Sequence, residues 1–148
     1  MQWHLVGHIL LAFILGFSIG CEREIHHSSA GLRTYAAIAL GACLFGILST
    51  HVSGPSIYTS IVDPSRIAAQ IVTGVGFIGA GVIFKSGNAT RGLTTAATLW
   101  VTAAIGLAVA FNMIVLPVIT TLLVIFTLSL AHSKTWLRFR IFLSRLTK

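Results

Sequence analysis

Three acidic residues are all that this 148-residue chain offers for carboxylate chemistry: Glu22, Glu24 and Asp63. Two of them stand in one polar stretch, CEREIHHSSAGLRT (residues 21–34), beside Arg23, His26, His27 and Arg33. Such a stretch supports two readings. Magnesium prefers carboxylate oxygen and keeps several of its waters, so Glu22 and Glu24 could suffice as its protein ligands. Alternatively Glu22 and Glu24 pair with Arg33 and Arg91 and pin helix ends together, as ionisable groups at membrane depth commonly do. Asp63 stands apart. Asp63-Pro64-Ser65 has the form of a helix start, a cap followed by proline in the first turn, with Arg66 next at the interface. A role for Asp63 and Arg66 at an outer mouth is the other reading.

The remaining side chains offer less. His4 and His8 are one turn apart and could take a soft metal, or could simply be interfacial. His26 and His27 beside Glu24 could sense pH or bind zinc, but nothing supplies a full ligand set. Cys21 and Cys43 fit no CxxC spacing and read as packing residues. No nucleophile has both a base and an orienting acid, and there is no phosphate loop or HExxH, so no enzyme is expected. Gly74-x-Gly76-x-x-Gly79 matches a dinucleotide fingerprint. It lies inside an apolar run, however, and no Asp or Glu follows Asp63.

These residues must be positioned by membrane helices. The chain is 55% hydrophobic and 9% charged, against about 25% charged in a soluble domain. It reads as an all-α membrane protein, a bundle of about five transmembrane helices. The spans cover about residues 3–20, 32–51, 66–84, 93–110 and 114–131, within one transmembrane domain of residues 1–131. The first lacks the basic n-region of a secretory signal. The third carries Gly74, Gly76, Gly79 and Gly81, and Ala69, Thr73, Gly76 and Ala80 form a small face. Small residues let helices approach closely in lipid, so this span is expected at the centre of the bundle, and self-association is expected too. Residues 85–92 read as a turn. In the fourth span Thr95, Thr98 and Thr102 share a face where hydroxyls can bond backbone or a neighbour, and Trp100 is expected to pack. The fifth span is leucine-rich and is placed at the lipid-facing edge.

Residues 132–148 read as a basic amphipathic helix in the headgroup region, with a protein-docking helix as the rival. With five spans, nine Lys and Arg fall on one side of the membrane and only Arg66 on the other. The positive-inside rule then puts the amino terminus outside and the tail in the cytoplasm. The net charge of +7 is accordingly read as topology and lipid contact rather than nucleic-acid binding. This topology brings Glu22, Arg23 and Glu24, residues 31–34, and Arg91 with Thr94 and Thr95 to one face.

In order along the chain, Gly20-x-Glu22-Arg23-Glu24, Gly31-Leu32-Arg33-Thr34, Asp63-Pro64-x-Arg66-x-Ala68-Ala69-Gln70, Gly74-x-Gly76-Phe77-x-Gly79-Ala80-Gly81 and Gly92-Leu93-Thr94-Thr95-Ala96-Ala97-x-Leu99-Trp100 resemble the MgtC/SapB family of bacterial inner-membrane proteins, as does Ala103-Ala104-Ile105-Gly106-Leu107-Ala108. The resemblance implies a module of about five transmembrane helices in the inner membrane. Many members add a soluble carboxy-terminal domain of the ACT type, and here the expectation is the transmembrane module without it. It also implies a physiological role in low magnesium, survival inside macrophages and virulence. The partners it implies are the membrane part of ATP synthase or a magnesium pump, and members are often described as magnesium transport proteins. Glu22, Arg23, Glu24, Arg33, Asp63, Arg66, Thr94 and Thr95 are the site residues it carries over. Two functions follow as expectations: a membrane regulator of another complex, or a transporter or channel for magnesium or another cation.

Overall fold

The computed structural model describes residues 3–52, 63, 65–87 and 89–130. It contains five helices, α1 (Trp3–Ile25), α2 (Leu32–Val52), α3 (Ser65–Gly81), α4 (Leu93–Ala110) and α5 (Val115–Leu130). A two-stranded antiparallel hairpin, β1 (Phe84–Ser86) and β2 (Ala89–Arg91), lies between α3 and α4. The tail expected over residues 132–148 and most of the expected loop, including Pro64, lie outside the described residues.

Helices α1, α2 and α4 are each long and apolar enough to cross a membrane, and α5 is a shorter apolar helix. The outer faces of the helices, α3 included, leave Phe45, Phe77, Leu122, Leu123 and Phe126 more than half exposed. Apolar surface on this scale is untenable in water and is what a bilayer solvates.

The core is built by α1, α2 and α4 around Ile19, Tyr35, Cys43, Leu99, Ile105 and Val109. Close backbone approach makes it possible. A Cβ at Gly16 would stand 2.6 Å from that of Ala39, and one at Gly20 would stand 2.6 Å from the Leu32 Cα. A Cβ at Gly106 would collide with the Ala39 carbonyl oxygen. Small residues thus bring three backbones together where no hydrophobic drive between helices exists. Cys21 and Cys43 are both free. Helix α5 packs on α1 and α4 through Leu128, while Leu116, Leu122, Leu123 and Leu130 face outward as expected for a lipid-facing edge.

The glycine-rich helix is not at the centre. Only Val75 and Gly79 of α3 are buried. Gly74, Gly76 and Gly81 have open space where a Cβ would be, while Gly79 faces Ala96. Helix α3 therefore lies against α4 and α2 at the edge of the bundle. Trp100 also departs from expectation. It is half exposed and stands on the outer side of α4, where it lines a small cavity with α3.

The expected turn over residues 85–92 is a hairpin, with Lys85 opposite Thr90 and Phe84 opposite Arg91. Gly87 adopts a left-handed φ of 61°, which the tight connection between short strands requires. Gly92, at φ 88°, caps α4, and its missing Cβ leaves room for the Val82 carbonyl.

Candidate functional site

The polar stretch after Gly20 does not end the first helix as the sequence reading supposes. Helix α1 continues through Glu22, Arg23 and Glu24 to Ile25. It stops by a left-handed cap. His27 has φ 51°, the Ser28 N–H donates to the Arg23 carbonyl at 3.0 Å, and the His27 N–H donates to the Glu24 carbonyl at 3.1 Å. These two bonds satisfy carbonyls that the helix end would otherwise orphan. They also turn the chain so that residues 28–31 cross directly to α2.

The extra turn buries an ion pair. Glu22 and Arg23 are only 8% and 6% exposed, and Arg23 Nε donates to Glu22 Oε2 at 2.8 Å. His26 sits one turn on, with Nδ1 2.9 Å from the Glu22 carbonyl oxygen and 3.1 Å from Glu22 Oε1. The aligned hydrogen bond goes to the carbonyl. Oε1 therefore feels the imidazole electrostatically but accepts no hydrogen bond. Burying two charges is costly, and their proximity offsets that cost only while both partners remain.

Glu24 serves another purpose. Its side chain is exposed, and its Oε2 accepts the Leu32 N–H at 3.1 Å, closing the amino end of α2. Gly31 makes this approach possible, because a Cβ there would coincide with that carboxylate. A carboxylate at a helix amino terminus answers both the orphan N–H and the helix dipole.

From α4, Thr95 meets the α1–α2 connection. Ser29 Oγ donates to Thr95 Oγ1 at 3.2 Å, and Ser28 Oγ lies 3.4 Å from the same atom. One turn deeper, the fully buried Tyr35 hydroxyl bonds Thr98, whose own hydroxyl donates to the Thr94 carbonyl at 2.9 Å. Thr102 continues the column by donating to the Thr98 carbonyl at 2.8 Å. Glu22 and Arg23 are within electrostatic reach of Tyr35. The result is a ladder of polar contacts linking the ends of α1, α2 and α4.

The three expected segments thus meet at one end of the bundle, though not with the expected partners. Arg33 and Arg91 are exposed and make no ion pair with either glutamate among the described residues. Thr94 is exposed and contributes its carbonyl. Arg23 engages one oxygen of the Glu22 carboxylate, and the Leu32 N–H engages one oxygen of Glu24. Among the described residues no three His, Cys, Asp or Glu side chains group around a metal-sized site.

Sequence reasoning missed two members of this site and named His26 without its neighbour Glu22. Tyr35 and Ser29 drew no attention because each is an ordinary residue until a neighbouring helix reaches it. His26 was visible at i+4 from Glu22, the spacing that puts both on one helix face.

At the opposite end Asp63 does cap α3. Its Oδ1 accepts the Ser65 N–H at 2.9 Å, and its carbonyl accepts the Arg66 N–H at 3.3 Å. Hydrogen bonds from the Ser65 hydroxyl and backbone hold the exposed Asp63 carboxyl below the usual carboxylate range. Arg66 is exposed beside it. Also at the far end of α1, the His4 and His8 rings stand 6.3 Å apart, edge to face, and His8 Nε2 lies 3.2 Å from Asn112 Oδ1.

Comparison with known proteins extends the motif resemblance. A family model described as the MgtC family matches residues 9–135. The Brucella abortus (strain 2308) protein MgtC is 45% identical over 129 residues, covering 84% of this chain and 52% of its own length. The Salmonella typhimurium (strain LT2) protein MgtC is 52% identical over 99 residues, 67% of this chain and 40% of its own. Escherichia coli (strain K12) YhiD, named a candidate magnesium transporter, is 43% identical over 138 residues, 92% of this chain and 64% of its own. The chain therefore spans roughly half the length of the curated relatives it matches. No solved structure matches it.

Proposed function

The chain belongs to the MgtC family, and we propose that it acts as a membrane regulator in adaptation to low magnesium and intracellular survival, binding another membrane complex rather than conducting an ion. The observation that carries this reading is the state of Glu22. It is the one buried acid of the described bundle, and Arg23 already answers its charge. A cation path needs carboxylate oxygen free to replace the ion's water, and here one of the two Glu22 oxygens, Oε2, is committed to Arg23.

The partner we propose is the membrane part of ATP synthase or a magnesium pump. The regulator carries out no catalysis and self-associates through small-residue faces outside the α2–α3 groove, such as Gly76 and Gly81 of α3. It sits in the bacterial inner membrane with its amino terminus periplasmic and its carboxy terminus cytoplasmic. The charge bias of nine against one supports that orientation. The single transmembrane domain with an amphipathic cytoplasmic tail over 132–148 belongs to the same proposal.

One feature favours a cation transporter instead: Glu22 Oε1 is buried and accepts no hydrogen bond. Magnesium uptake into proteoliposomes holding the purified protein separates the two readings. The regulator gives no uptake above empty vesicles. Saturable uptake overturns it, and loss of that uptake in a Glu22→Gln variant that retains its helicity would place Glu22 on the path.

A further inference from the structure

Ten Lys and Arg face three acids in this chain, and the structure engages all three acids locally. Glu22 is taken by Arg23, Glu24 by the Leu32 N–H and Asp63 by Ser65. Arg33, Lys85 and Arg91 are exposed and make no ion pair among the described residues. Three acids cannot neutralise ten cations.

The fold gathers these three cations at one end. Arg33 opens α2, while Lys85 and Arg91 stand on the hairpin between the end of α3 and the start of α4. The bond from Tyr35 to Thr98 fixes the starts of α2 and α4 side by side. Between α2 and α3, reaching to Thr34 beside Arg33, runs an open apolar cavity of about 610 Å³. Ala37, Gly41 and Phe45 of α2 form one wall, and Gly74, Val75 and Ile78 of α3 the other. A Cβ at Gly41 or Gly74 would meet nothing within 4 Å, so the two helices stand apart where their small residues would have let them close.

We propose that this groove and its three cations bind one anionic phospholipid. An acyl chain fills the space between α2 and α3, and the headgroup phosphate lies among Arg33, Lys85 and Arg91. Each part of the lipid meets the chemistry it requires. A groove open to the bilayer and lined by hydrocarbon apart from Thr34 and Gln70 suits an acyl chain, and guanidinium groups present paired donors suited to a phosphate. Glu24 is the one like-charged neighbour of the headgroup, and its Oε2 is spent on the Leu32 N–H. A second copy of the chain is the rival occupant. It fits less well, because it carries the same surplus of ten Lys and Arg over three acids.

Native mass spectrometry of the full chain in mild detergent tests this, with phosphatidylglycerol and phosphatidylethanolamine supplied in equal amounts. The wild type is expected to retain phosphatidylglycerol preferentially. R33Q/K85Q/R91Q is expected to lose the preference, by about fivefold per cation removed. G41L/G74L leaves every charge in place and fills the groove, and it is expected to lose the bound lipid too. Lipid held elsewhere on the molecule, including by the five cations of residues 134–148, is untouched in both variants. Circular dichroism checks the fold, and the exposed hairpin pair K85Q/R91Q stands in if the triple variant loses helicity. Equal retention of the two lipids, an unchanged preference in the charge variants, or a G41L/G74L variant that dissociates an oligomer while keeping its lipid would each overturn the proposal.

Discussion

At Gly106 an added Cβ would run into the Ala39 carbonyl oxygen, and at Gly46 it would stand 2.6 Å from the Ala110 Cβ. At Gly74 and Gly76 it would meet nothing. All four are helical glycines in apolar segments, yet they belong to two different regions. In the α1–α2–α4 core glycine is the condition for backbone contact. On α3 glycine leaves a surface uncovered. Glycine therefore marks a place where something can come close, inside the fold at Gly106 and Gly46 and outside it at Gly74 and Gly76. The tightest packing in this molecule falls on helices with few glycines each, and the helix with most of them lies at the edge.

The largest expected effect comes from crossing that divide with one methyl group. Gly106→Ala should destabilise the chain by about 1–3 kcal/mol, since a packed backbone must move. Gly74→Ala should be neutral or stabilising by up to about 1 kcal/mol, because alanine is the better helix former and its Cβ has space. Unfolding in mixed micelles followed by circular dichroism measures both. Equal costs at the two sites would break the distinction between core and edge.

A smaller contrast uses hydroxyls instead of methyls. Tyr35 and Thr98 bond each other inside the core, whereas Thr73 on exposed α3 bonds only its own helix, donating to the Ala69 carbonyl at 3.2 Å. Tyr35→Phe should cost about 1 kcal/mol, near the upper part of what interhelical hydrogen bonds contribute in membranes. Thr73→Val should stay within about 0.5 kcal/mol of wild type. A double-mutant cycle of Tyr35→Phe with Thr98→Val sharpens the point, since only a direct bond yields a coupling energy. Additive losses would mean that the ladder between α2 and α4 contributes through packing alone.

The same divide explains what the sequence could reveal. Helix number and membrane class were legible because they rest on apolar run length and charge scarcity, properties each segment carries alone. The threonine face of α4 was legible for the same reason, since spacing within one helix sets it. The Asp63 cap needed only its next few neighbours. The position of α3 was not legible, because it depends on which small face meets which, and that is a property of pairs of helices. The partners of Glu22 and Glu24 were misread likewise. Arg33 and Arg91 were assigned to them by membrane side, but side does not fix distance, and the nearer Arg23 and Leu32 N–H took the carboxylates. The hairpin was missed although Gly87-Asn88 is a two-residue connection of the kind that closes one. Strands of three residues carry too little alternation to register.

The smallest expected effect lies at the edge, where α3 begins. The Asp63 carboxyl is held below its ordinary range by the Ser65 hydroxyl and backbone N–H. A carboxyl with a lowered folded-state pKa stabilises the fold above its unfolded value, about 3.9, and that contribution is lost as pH falls through the folded value. Protection of the Ser65 and Arg66 amides against hydrogen exchange, corrected for intrinsic rates, should therefore hold from neutral pH down to about 4 and weaken below it. The core amides near Tyr35 should show no such step. Asparagine caps nearly as well but does not titrate in this range, so Asp63→Asn should keep most of the protection and flatten its pH dependence. A wild-type profile as flat as the variant's would mean that α3 starts without help from this carboxylate, leaving packing on α4 and α2 as its only anchor.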